Sequence, residues 1–148
     1  MKHAPSVAPP VGLRLALRRM DRAAEGKTYG PVAFELSSGR VAAFRTLFGG
    51  PPGVPPTILT AAEFTLLPTI VGDPELALDF ARVVHGSQEY VFHRPLRLGE
   101  TLSVEARIAS IREKGGSGFL TIDMAMRGAD GAVVAVARST MIEREMTP

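Results

Sequence analysis

The segment from Thr57 to Leu67 restricts the fold more than any other part of the chain. Ile58, Leu59, Ala61, Ala62, Phe64, Leu66 and Leu67 make it apolar on nearly every side of a helix, and Glu63 is its single charge. A helix without a polar face has to be surrounded by other structure. Thr57 is placed to cap it, and Pro68 limits its regular length. Further along, the hydrophobic period changes to two. Leu102, Val104, Ala106 and Ile108 alternate with Thr101, Ser103, Glu105 and Arg107. Leu120, Ile122, Met124 and Met126 alternate with Thr121, Asp123 and Arg127. Strands with one apolar face need a cover for that face. A curved antiparallel sheet wrapped around the central apolar helix meets both demands and predicts an α+β architecture.

The remaining elements fit this plan. Val32, Phe34 and Leu36 predict a short strand after Gly30–Pro31. Ser37 or Ser38 caps a helix that carries Val41, Phe44, Leu47 and Phe48 and stops at Gly49–Gly50. Asp73 followed by Pro74 marks another helix start, running toward Val83. From His85 the period is two: Tyr90 and Phe92 share one face, and His85, Ser87, Glu89 and His93 share the other. Val133 to Ile142 is the last strand, and Asp130–Gly131 is a hairpin signal before it. Val11, Leu13, Leu15 and Leu17 alternate like a strand, although the Leu/Ala/Arg composition around them also suits a helix. Residues 1–10 read as a disordered leader, and 11–148 as a single domain, the usual size for one core.

Composition removes several function classes. The chain has no cysteine, which excludes disulfide frameworks, zinc fingers, iron–sulfur clusters and cysteine nucleophiles. Seventeen basic against fifteen acidic side chains leave a net charge of +2, and the basic residues are scattered, so no nucleic-acid partner is expected. No apolar run reaches the ~18 residues of a membrane span, and a cytoplasmic location is expected. Three separated histidines without carboxylates at ligand spacing argue against a metal site. The glycines of Gly115–Gly116–Ser117–Gly118 lack the strand-to-helix context of a phosphate loop and read as a hairpin.

The stretch His85–Gly86–Ser87–Gln88–Glu89–Tyr90–Val91–Phe92–His93–Arg94–Pro95–Leu96 resembles the MaoC-like dehydratases. The match is to the N-terminal-half type, which includes non-catalytic subunits of (3R)-hydroxyacyl thioester dehydratases. Phe34–Glu35–Leu36 before the Val41–Phe48 helix, Val54–Pro55–Pro56–Thr57, Leu98–Gly99–Glu100–Thr101–Leu102, Lys114–Gly115–Gly116 and Arg138–Ser139–Thr140 follow in the family's order. The resemblance covers roughly residues 30–143 and implies a hotdog fold. Exposed sheet edges of such a fold favour a homodimer or a heteromer. It also implies reversible hydration of a trans-2-enoyl thioester, carried by CoA or an acyl-carrier protein, without a cofactor. Catalytic members place an acid and a histidine on the loop before the central helix, as Asp-x-Asn-Pro-x-x-x-His or a close variant.

This chain departs from the pattern at that loop. Between Gly30 and Ala62 there is no Asp, Asn or His, and the loop is cut to Gly49–Gly50–Pro51–Pro52–Gly53 before Val54. The family's catalytic residues therefore do not carry over, and a non-catalytic subunit that shapes the acyl channel beside a catalytic hotdog partner is expected. Thr57, Phe64, His85, Gly86 and Tyr90 are taken as the residues around the acyl group. Glu63 has two readings. A carboxylate on a buried helix is the nucleophile or base of one type of hotdog thioesterase, or it is hydrated or paired with an arginine at the helix edge. His85 is either a pocket residue or a histidine bonded to backbone. A protein that holds acyl thioesters without any catalysis is the third class.

Overall fold

The computed structural model describes residues 19–145, so the leader and the Val11–Leu17 alternation lie outside the described residues. Period-two alternation becomes five strands: β1 (Thr28–Glu35), β2 (Val83–Phe92), β3 (Thr101–Lys114), β4 (Ser117–Arg127) and β5 (Val133–Glu143). They form one antiparallel sheet in the order β1-β3-β4-β5-β2. Gly115 and Gly116 both take left-handed backbone angles, φ 56° and 76°, the pair that lets a two-residue turn follow strand twist between β3 and β4. The inward positions of β3, Leu102, Val104, Ala106 and Ile108, are buried, as are Leu120, Ile122, Met124 and Met126 of β4. This is the expected α+β arrangement.

Helix α1 (Ser38–Phe48) follows β1. Ser37 caps it by accepting a hydrogen bond from the Arg40 N–H, and Gly49 ends it with φ 72°. Val41 is buried and Phe44 half-buried, whereas Leu47 and Phe48 are exposed. The predicted apolar stripe therefore meets the core at its N-terminal half and leaves it at the other end.

The central segment differs from the expected single helix. It opens with a 3₁₀ turn, Pro56–Ile58, continues as α2 (Leu59–Glu63), loosens at 64–66, and resumes as α3 (Leu67–Val71). Thr57 makes no capping hydrogen bond; it lies exposed inside the first turn. Ile58, Leu59, Ala62, Leu66 and Ile70 are buried, but Thr60, Phe64 and Thr65 are exposed. The segment is covered on one side, and hydrophobicity alone did not reveal which side. Nor does Asp73–Pro74 start a helix. Asp73 accepts from the Glu75 N–H as a turn residue, and Ala77 adopts φ 55°, which no right-handed helix allows. A short 3₁₀ turn, Phe80–Arg82, leads into β2. Among the described residues, no helix is long and apolar enough to cross a membrane.

Candidate functional site

The register of β2 against β5 decides what faces the central segment. Buried Ala137, Ser139 and Met141 of β5 are alternate residues on one face of the sheet. Their partners are Tyr90, Gln88 and His85, not Tyr90, Gln88 and Gly86. A bulge between His85 and Ser87 takes up the extra residue. The expectation that His85 lies on the face opposite Tyr90 is thereby corrected: one inserted residue inverts the alternation, and both point to the same side. Gly86 makes the bulge possible. A Cβ there would approach the Thr140 carbonyl oxygen to 3.1 Å and the Ile142 Cδ1 to 2.9 Å.

Glu63, the last residue of α2, meets this strand. The residue is 6% exposed, and its carboxyl accepts hydrogen bonds from the Tyr90 hydroxyl and from Gln88 Nε2, which lies 3.3 Å and 3.2 Å from the two oxygens. The Tyr90 oxygen also lies 2.8 Å from the Thr60 hydroxyl. Burial pushes the Glu63 carboxyl above its ordinary range, against the hydrogen bonds of Tyr90 and Gln88 and the charge of His85. Burial and the bond to Glu63 raise the Tyr90 hydroxyl in turn. The arginine pairing is not found: among the described residues Glu63 makes no salt bridge, and a tyrosine and a glutamine hold its carboxyl instead.

Beside Glu63 opens a cavity of about 210 Å³. Its apolar walls include Phe64, Leu67, Phe80, Val83, Met124 and Met141. Its polar points are Thr60, Glu63, His85, Gln88 and Ser139. His85 Nε2 lies 3.3 Å from the Ser139 hydroxyl. An apolar cavity of about 150 Å³ is large enough for benzene, so this one has room for a short acyl segment. The structure thus brings Glu63, Phe64 and His85 to one cavity, with Tyr90 behind Glu63 and Gly86 shaping the strand. Thr57 does not line it. Sequence reasoning missed Gln88, Ser139, Phe80 and Met141. For Gln88, Ser139 and Met141 the signal was a glycine inside a strand, which marks a bulge and hence a change of face; Phe80, in the turn before β2, had no such signal.

Other candidates have structural duties. Arg94 forms a two-pronged ion pair with Glu100, at 3.1 Å and 2.6 Å, and Glu100 also accepts from the Arg97 N–H at 2.7 Å. The His93–Arg94–Pro95 stretch therefore closes the β2–β3 connection. Among the described residues no cluster suits a metal ion. The loop between α1 and the central segment is exposed over Gly49–Gly53, where φ is 72° at Gly49, 119° at Gly50 and 105° at Gly53.

Comparisons with known proteins agree with the fold. Residues 22–137 match the family model described as FAS1-like, dehydratase domain region. A UPF0336 protein of Clavibacter michiganensis subsp. michiganensis is 31% identical over 140 residues, covering 95% of this chain and 89% of the relative. A UPF0336 protein of Saccharopolyspora erythraea is 37% identical over 90 residues, which span 61% of this chain and 58% of that relative's length. Among solved structures, the C-terminally truncated HadBC (3R-hydroxyacyl-ACP dehydratase) complex of Mycobacterium tuberculosis matches with a TM-score of 0.68. It has 19% identity and covers 80% of this chain and 96% of that one. With the sheet order, the central segment and the matched span in agreement, the chain belongs to the FAS1-like dehydratase-region family and has the hotdog fold of the MaoC-like dehydratases.

Proposed function

We propose that this chain is a non-catalytic, acyl-holding subunit of a hotdog heteromer that hydrates trans-2-enoyl thioesters or dehydrates (3R)-hydroxyacyl thioesters. The observation that carries the reading is the contrast between an acyl-sized cavity and an empty catalytic loop. Residues 49–54 offer glycine, proline and valine where catalytic relatives hold an acid and an imidazole. A water molecule cannot be activated from there. The cavity remains, and its aliphatic, aromatic and methionine walls adapt to an acyl chain. The HadBC match, to a complex, supports a partner subunit. So does the edge position of β2, where Val84, Val91 and Phe92 are exposed beside unpaired backbone groups. The reading takes a CoA or acyl-carrier-protein thioester as ligand and the cytoplasm as location.

The test is hydration of crotonyl-CoA and longer enoyl-CoAs by the purified chain, alone and mixed with a catalytic hotdog subunit. The expected result is no turnover alone and turnover with the partner. Robust hydration by the lone chain overturns the reading.

One observation favours a second reading. Glu63 and His85 border the same cavity, and burial pushes the Glu63 carboxyl above its ordinary range, the direction that makes a carboxylate a better base. Acting on water at a thioester carbonyl, it would make the chain an acyl-CoA thioesterase. Acyl-CoA hydrolysis that disappears in Glu63→Gln supports that reading, and unchanged turnover removes it. A purely acyl-thioester-holding protein is the remaining case, marked by binding without any partner-dependent turnover.

A further inference from the structure

A hydrocarbon tail explains the walls of the cavity but not its polar points. Glu63 is buried at a position where its neighbours on the central segment, Leu59, Ala62 and Leu66, are aliphatic. Burying a carboxyl there without a salt-bridge partner is costly, even with Tyr90 and Gln88 donating to it. The hydrogen bonds it accepts are also uneven. Tyr90 and Gln88 both approach Oε1, while Oε2 has Gln88 alone, at 3.2 Å. A carboxylate has about four lone-pair sites, so Oε2 keeps acceptor capacity for something else. On the β2–β5 floor of the same cavity, His85 Nε2 and the Ser139 hydroxyl are paired at 3.3 Å and supply both a donor and an acceptor. A ligand group that donates to Glu63 and accepts from the floor is satisfied on both sides. A hydroxyl does this. An ammonium only donates, and it would have to leave water for a cavity with mostly apolar walls.

We infer that the cavity takes an acyl tail bearing a hydroxyl group, which donates to Glu63 and accepts from the His85–Ser139 pair. The inference rests on the acyl-holding reading, in which the tail enters this cavity and the reacting thioester end faces the partner. The hydroxyl is therefore distinct from the one removed or added at C3. Selectivity follows from the same chemistry. A site with buried polar groups rejects an analogue that leaves them unpaired far more strongly than an apolar site rejects an added hydroxyl.

The test uses saturated, unreactive ligands and calorimetric binding to the full chain, alone and with the catalytic partner. Octanoyl-CoA is compared with its isomers hydroxylated at each carbon from C5 to C8, and with 8-aminooctanoyl-CoA. The expected result is one hydroxy isomer binding about tenfold or more tighter than octanoyl-CoA. That preference is expected to reverse in Glu63→Leu and to survive in Glu63→Gln. Octanoyl-CoA binding with no isomer better by more than about twofold overturns the inference and leaves the acyl-holding reading standing. Tightest binding of the amino ligand overturns it in favour of charge pairing. No binding of any ligand to a chain folded by circular dichroism overturns the acyl-holding reading, and the inference with it.

Discussion

Strands β3 and β2 turn the same side of one sheet toward the core, yet they are built differently. Every second residue of β3 from Leu102 to Ile108 is aliphatic and no more than 1% exposed. The matching face of β2 carries His85, Gln88 and Tyr90, and its alternation is broken at Gly86. The first pattern is what packing alone requires. The second weakens packing, places a carboxyl under a polar clamp and leaves a cavity. Where a strand gives up its own rhythm, something other than stability has shaped it.

The largest effect should separate the two regions. Leu59→Ala and Ile108→Ala, both at fully buried positions, are expected to lower stability by about 2–5 kcal/mol in urea denaturation. Phe64→Ala, at the exposed rim of the cavity, is expected to change stability by less than about 0.5 kcal/mol. It should instead weaken acyl-CoA binding. Equal losses of stability at all three positions would erase the distinction between core and cavity.

Gly86→Ala probes the break itself. The added Cβ has to displace either the Ile142 side chain or the β5 backbone at Thr140, at a cost of about 1–3 kcal/mol. Because the bulge sets the face on which His85 lies, ligand affinity should fall further than stability does. A neutral change in melting temperature with intact binding would show that the bulge does not need glycine.

The smallest effect concerns the clamp. Burial lifts the folded-state Glu63 carboxyl above its ordinary value of 4.5. Its favourable contribution is thus complete below the unfolded value and is lost as pH rises through the folded one. Glu63→Gln removes that loss, and is expected to stabilise the chain at pH 8, read as a rise in Tm. The gain should shrink as pH falls toward 4.5. A gain that grows on acidification would mean that the carboxylate, not the carboxylic acid, is the form the fold prefers.

Much of this was legible in the residues. The alternation of β3 and β4, the Gly115–Gly116 turn and the Ser37 cap are local signals, and the structure follows them. The apolar 57–67 segment predicts a buried helix but not an interrupted one. Its composition reports how apolar it is, not that Thr60 and Phe64 face outward, which depends on the sheet arriving from sequence far away. Glu63 could be singled out because it is a charge among aliphatic residues. Its partners could not, since Tyr90 and Gln88 reach it only after a one-residue slip at Gly86 that strict alternation does not contain. The Asp73–Pro74 helix failed for a related reason. Asp73 is engaged by the Tyr29 hydroxyl and the Lys27 ammonium, contacts between segments distant along the chain.

β2 is also the last strand of its sheet, joined among the described residues to β5 alone. Half of its amides point toward β5, and the other half point away from it. In the isolated chain, deuterium from solvent should enter the second set quickly while the first lags, a two-speed clock written into one strand. A companion strand docking alongside would slow the fast set and leave the slow one nearly unchanged, so the ticking of those few amides records whether Gln88 and Tyr90 have company.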